Sequence, residues 1–127
     1  KSGLSRGVVD EPILEKIHNK MNNLLSEKDG EIDAIYYCPH SPNSHCDCRK
    51  PKPGMIELFA CEHRVDLQNI YMVGDSYVDI QAALTAGVKP ILAKTGKGQK
   101  TLADHPELNI PIFENLYDAA KFIISEQ

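Results

Sequence analysis

Four residues able to bind a soft metal crowd into one short stretch of this 127-residue chain. Cys38-Pro39-His40 and Cys46-Asp47-Cys48 each place two ligand types one residue apart, with five residues between the pairs. Three thiolates and one imidazole satisfy the tetrahedral preference of Zn2+ and leave no position for water, so the pattern points to a closed, structural site. A proline-rich irregular loop has little core of its own, and a metal clip would offset the entropy of ordering it. Two alternatives stand beside this reading. The thiols are ordinary reduced loop cysteines, or His45 replaces His40 as the fourth ligand.

A second constellation suits a hard cation and a phosphate. Val73-Gly74-Asp75 closes a short apolar run with a carboxylate, and Asp79 follows four residues on. Ligands of an open parallel sheet bind beyond the carboxyl ends of its strands. Two carboxylates there can hold Mg2+, which takes few protein ligands and shares itself with phosphate; alternatively, Asp75 caps the next helix and Asp79 favours its N-terminus. Arg49-Lys50-Pro51-Lys52-Pro53-Gly54 lies before another helix, where a helix N-terminus and a lysine make an anion site. Arg grips phosphate bidentately and Lys supplies a point charge, although such a pair is equally an ordinary solvated surface. Lys94-Thr95-Gly96-Lys97-Gly98 is a phosphate cradle or a turn, and is too short for a true P-loop.

The elements that must position these residues follow from periodicity. Ile13, Leu14, Ile17, Met21, Leu24 and Leu25 recur at helical spacing, which predicts an amphipathic helix over Glu11 to Glu27 closed near Lys28-Asp29-Gly30. Ile32 to Tyr37 reads as a strand, and Cys38 to Pro53 as a loop. Gly54 to His63 regains helical spacing through Met55, Leu58 and Phe59. Ile70 to Val73 is a strand, Tyr77 to Ala86 a helix stopped by Gly87, Pro90 to Ala93 a strand, Ile110 to Phe113 a strand and Asn115 to Ser125 a helix. Gln99 to Asn109 shows no clear pattern. Short strands alternating with helices predict a parallel α/β sheet in a single domain over residues 1–127. Cys61, alone in its helix, is expected to be a buried, unreactive thiol.

Composition narrows the function classes. With 42% hydrophobic and 25% charged residues the chain suits a globular core rather than disorder. The net charge of -4, without a basic tract, argues against nucleic acid as a partner. No apolar run approaches the roughly 20 residues of a membrane span, and no signal segment opens the chain, so the expected location is the cytoplasm.

Together the motifs resemble a family. Cys38-Pro39-His40, Cys46-Asp47-Cys48-Arg49-Lys50-Pro51-Lys52-Pro53-Gly54-Met55, Met72-Val73-Gly74-Asp75-Ser76-Tyr77-Val78-Asp79 and Lys94-Thr95-Gly96-Lys97-Gly98 are similar in order and spacing to the D-glycero-D-manno-heptose 1,7-bisphosphate 7-phosphatases. Those are haloacid dehalogenase superfamily enzymes of the lipopolysaccharide core ADP-heptose pathway. The resemblance covers Ser2 to about Gly98, and the histidinol-phosphate phosphatases share the zinc loop. It implies a Rossmann-like fold, hydrolysis of a sugar phosphate through an aspartyl-phosphate, catalytic Mg2+ and structural Zn2+. Carried over by motif, Lys50 orients nucleophile and phosphate, Arg49 contacts substrate, Asp75 ligates Mg2+ and Asp79 supports it. Ser2 and Arg6, in Ser2-Gly3-Leu4-Ser5-Arg6-Gly7, shape the substrate pocket.

The departures matter as well. The family's Asp-x-Asp-Gly-Thr motif, source of the nucleophile, does not occur here, and Ser76 stands where many members have lysine. The sheet is then expected to lack its first two strands, leaving the next without a neighbour and the fourth with an exposed edge. The chain, which opens on Lys1 without an initiator methionine, is accordingly expected to be part of a longer product and inactive by itself. Two other functions fit the same residues: a histidinol-phosphate phosphatase, or a non-catalytic zinc-binding module on a phosphatase scaffold.

Overall fold

The computed structural model describes residues 4, 7, 9–41 and 43–127, so the expected substrate contacts at Ser2 and Arg6 lie outside the described residues. The chain divides into two compact units, Lys1–Arg49 and Lys50–Gln127. No helix among the described residues is long and apolar enough to cross a membrane.

The first unit is built on α1, Glu11–Ser26. Asp10 caps it by accepting the Ile13 amide at 2.9 Å, and Pro12 sits in the first turn, where its missing N–H costs nothing. The chain leaves the helix through Asp29 at φ 58, with the Gly30 amide returning to the Leu25 carbonyl at 2.8 Å. The predicted apolar stripe is only partly used: Leu14 is buried, whereas Ile13, Ile17 and Leu24 are exposed. Ile32 to Tyr37 forms no ladder, contrary to the strand its composition predicts. A β-rich sequence becomes a strand only when a neighbouring strand pairs with it, and among the described residues no strand is laddered to this segment.

The second unit is an α/β layer structure. A three-stranded parallel sheet has the order β1-β2-β3, with β1 at Tyr71–Gly74, β2 at Lys89–Ala93 and β3 at Ile112–Phe113. Tyr71 pairs with Lys89 and Gly74 with Leu92, while Leu92 pairs with Ile112. Helices α2 (Gly54–His63), α3 (Tyr77–Ala86), α4 (Gly98–Asp104) and α5 (Leu116–Ser125) complete it. Ile91 and Leu92 are consecutive and both fully buried. That is the mark of a central parallel strand covered on both faces: α3 packs on β1 and β2, and α5 on all three strands. Pro90 is tolerated in this strand because β3 begins to accept only at Leu92, whose amide bonds the Pro111 carbonyl at 3.0 Å.

A further sequence expectation is corrected here. Cys61 is exposed, not buried. On α2 the residues turned inward are Met55, Ile56, Phe59 and Ala60, and Cys61 shares the outer face with Glu57, Leu58 and Glu62. The unassigned stretch 99–109 contains most of α4, a helix too short to show an apolar period; only Gly98 and Thr101 of it are buried. The remaining helices and the strands β1 and β2 fall within a residue or so of their predicted bounds, and Asn115 proves to be the cap of α5, accepting the Asp118 amide at 2.8 Å.

Candidate active site and candidate metal centre

In the first unit the loop after Tyr37 folds four donors together. The ligand atoms of Cys38, His40, Cys46 and Cys48 lie within 4.8 Å of one another. Cys38 Sγ is 3.6 Å from Cys46 Sγ, 3.1 Å from Cys48 Sγ and 3.4 Å from His40 Nδ1, and His40 Nδ1 is 3.2 Å from Cys48 Sγ. A tetrahedral ion with metal–sulfur bonds of about 2.3 Å sets its sulfurs roughly 3.8 Å apart, so the donor set fits Zn2+ with small adjustments. His45 is not part of the group. As bare thiols the set is electrostatically divided. The Ser44 hydroxyl, with help from Cys38, Cys48 and the Arg49 backbone, lowers Cys46 to about 6 against the opposing effect of desolvation. Cys48, which donates its proton to Cys38, is raised to about 12. A dication held by these residues would remove that conflict, because it would favour the thiolate at all three positions. The Arg49 guanidinium reaches the His40 carbonyl at 3.4 Å, closing the loop from behind.

In the second unit the chemistry gathers where β1 ends. Asp75 follows the last strand residue and Ser76 is the N-cap of α3, which puts Asp79 in the first turn of that helix. Asp79 is 5% exposed and its carboxylate is fully engaged. Oδ2 accepts the Asp75 amide at 3.2 Å, the Ser76 amide at 3.1 Å and the Ser76 hydroxyl at 2.8 Å, and Oδ1 accepts the Lys50 ammonium. Burial by itself would raise the pKa of Asp79; the hydrogen bonds and charge of Lys50 and Ser76 outweigh it and hold the carboxyl below its ordinary value. Gly74 is required beside it, since a Cβ there would lie 2.6 Å from Asp79 Oδ2.

Asp75 is held differently. Its Oδ2 accepts the Lys97 amide at 2.8 Å, and its backbone carbonyl accepts the Thr101 hydroxyl at 2.8 Å. Gly96, at φ 60, passes so close that a Cβ would come within 2.2 Å of Asp75 Oδ2. The 94–98 segment is therefore a turn closed on the Asp75 carboxylate, and Lys94 is committed to Glu114 at 2.7 Å. Asp75 Oδ1 carries no hydrogen bond among the described residues, leaving one oxygen for a hard cation. Lys50 spends one donor on Asp79 and, with its side chain 41% exposed, keeps the others for an anion. The structure thus brings Lys50, Asp75 and Asp79 together through one buried carboxylate. Gly96 and Ser76 contribute supports that residue type alone did not reveal.

A strand-end aspartate beside a lysine, on a parallel sheet covered by helices, is an arrangement suited to a hard cation and a phosphate. The HAD-hydrolase-like family matches residues 47–119, and the chain belongs to it. The D-glycero-beta-D-manno-heptose-1,7-bisphosphate 7-phosphatase of Pseudomonas putida is 42% identical over 124 residues, covering 98% of this chain and 71% of that protein. Its Bordetella bronchiseptica counterpart is 50% identical over 103 residues, or 81% of this chain and 58% of the relative. The crystal structure of D,D-heptose 1.7-bisphosphate phosphatase from B. bronchiseptica, complexed with magnesium and phosphate, superimposes with a TM-score of 0.95 at 43% identity, over 100% of this chain and 72% of that one. Within the HAD-like hydrolases the chain belongs to the heptose-1,7-bisphosphate 7-phosphatase family, and its parallel α/β fold is that family's.

Proposed function

We propose that this protein takes part in removing the 7-phosphate of D-glycero-D-manno-heptose 1,7-bisphosphate, in the cytoplasm, with Mg2+ at Asp75 and Zn2+ at Cys38, His40, Cys46 and Cys48. The observation that carries the reading is the Asp79 carboxylate, which joins the Lys50 ammonium to the Asp75 amide and so keeps an anion-binding cation beside a cation-binding carboxylate. Mg2+ bound there would offset the negative charge that builds on a phosphoryl group in transfer. The rest falls to the chain's own residues. Lys50 steadies a phosphate oxygen, with Asp79 fixing the ammonium so that its order is established before substrate arrives. Asp75 keeps Oδ1 for the cation while the Lys97 amide holds Oδ2 and the Thr101 hydroxyl holds the Asp75 carbonyl. Arg49, Ser2 and Arg6 are proposed substrate contacts on the strength of the motif. The zinc reading is supported by four donors at near-tetrahedral separations.

Phosphate release by the gene product from heptose 1,7-bisphosphate and from histidinol phosphate tests the proposal. Preferential release from the heptose substrate, abolished by Lys50→Met, is the expected outcome. Preference for histidinol phosphate would move the assignment to that phosphatase, and no release from either would favour the non-catalytic module.

A further inference from the structure

We infer that Thr101 is a positioning residue for Asp75, fixing the backbone that carries the cation-binding carboxylate; the inference rests on the reading of Asp75 as a Mg2+ ligand. Thr101 lies on α4, twenty-six residues from Asp75 in sequence, and is 7% exposed. A helical threonine commonly turns its hydroxyl back to a carbonyl three or four residues earlier in its own helix. This one donates instead to the Asp75 carbonyl, at 2.8 Å. That carbonyl precedes the cap of α3 and needs a donor from elsewhere.

The same turn of α4 holds Asp75 a second time. The Thr101 amide bonds the Lys97 carbonyl at 2.9 Å, and the Lys97 amide bonds Asp75 Oδ2 at 2.8 Å. The first turn of α4 therefore grips the aspartate twice, by the Thr101 hydroxyl at its carbonyl and by the Lys97 amide at its carboxylate, while Asp79 holds its amide. With the peptide fixed on both sides and Oδ2 tied, Oδ1 presents in one direction. A ligand ordered beforehand loses less freedom when it binds. Without the Thr101 hydroxyl, the 75–76 peptide gains rotational freedom and the carboxylate loses its fixed relation to the Lys97 amide.

The test compares wild type, Thr101→Val and Thr101→Ser by two readouts: the exchange rate of the Lys97 amide hydrogen by NMR and the Mg2+ dissociation constant by titration calorimetry. Valine keeps the volume and removes the hydroxyl; serine keeps the hydroxyl. The valine variant is expected to exchange the Lys97 amide and to release Mg2+ about tenfold more readily, the scale of one lost hydrogen bond, with serine close to wild type on both. Unchanged Lys97 exchange in Thr101→Val would overturn the inference. So would a serine variant as impaired as valine, which would mark a packing role, or an Mg2+ affinity that ignores the exchange. No Mg2+ binding by wild type would sink the cation reading of Asp75, and that failure is told apart from a failure of the Thr101 contact because Lys97 exchange would still respond to Thr101→Val.

Discussion

An ionised carboxylate only accepts hydrogen bonds, and both oxygens of Asp79 are occupied, Oδ1 by Lys50 and Oδ2 by the Asp75 amide and both donors of Ser76. That saturation explains why an amide cannot replace it. In Asp79→Asn one face of the side chain must present N–H groups either to the Lys50 ammonium or to the Ser76 donors, so a donor meets a donor. Urea unfolding is expected to show a loss of about 1–3 kcal/mol, the cost of leaving buried donors unpaired, and Lys50, half open to water, recovers part of its own loss by solvation. The pH dependence follows from the lowered pKa. Below the ordinary carboxylate value near 4 the unfolded chain binds a proton that folded Asp79 still refuses. Its stabilisation is therefore present above that value and declines as pH falls through the folded pKa. Stability measured with chelator from pH 6 down to pH 3 should fall more steeply in wild type than in Asp79→Asn; parallel curves would count against the assignment.

At the scale of elements, the sheet is organised by β2, whose Ile91 and Leu92 are both without exposure. Ile91→Ala removes three carbons from a site enclosed by packed helices, and a loss of about 2–5 kcal/mol in urea unfolding is expected; a loss under about 1 kcal/mol would mean that the core closes on the cavity. The legibility of the elements depended on how each is stabilised. The helix at Gly54–His63, the helix ending at Gly87 and the β1 and β2 strands were readable because their signals are local: caps, stops and apolar runs bounded by glycine. Ile32 to Tyr37 was misread because strand formation is decided by a partner. For the site, cysteine spacing and strand-end aspartates are written in residue type. Thr101 was invisible because its helix has too few turns to show a period, and its contact spans twenty-six residues. Cys61 was placed inside because a free cysteine usually is, whereas the turn of α2 sends it outward with Leu58.

Taken whole, the chain's two units are held in different ways, each described by its own interior. Lys50–Gln127 contains nearly all the fully buried apolar residues, among them Ile80, Ala82, Ala83, Ile91, Leu92 and Ala119, whereas those of Lys1–Arg49 are Leu14 and Cys38 among the described residues. On the zinc reading, a loop whose chief buried side chain is also a proposed ligand would owe its order to the metal. Purified protein is accordingly expected to carry zinc, with Cys46→Ser lowering the zinc content and the thermal midpoint together while the residues of the Asp75 mouth remain in place. Hydrogen exchange resolves the two effects: chelation should raise exchange about tenfold or more over residues 38–48, as local opening loses its metal clamp, and leave the β2 amides protected. Thiol labelling gives an independent reading of the same event. Before chelation the exposed Cys61 should react ahead of the cluster, so that Cys61→Ser removes the fast phase, and after chelation Cys38, Cys46 and Cys48 should join it. Zinc content unaffected by Cys46→Ser, or cluster thiols that label as fast as Cys61 in the zinc-loaded protein, would sink the ligand set.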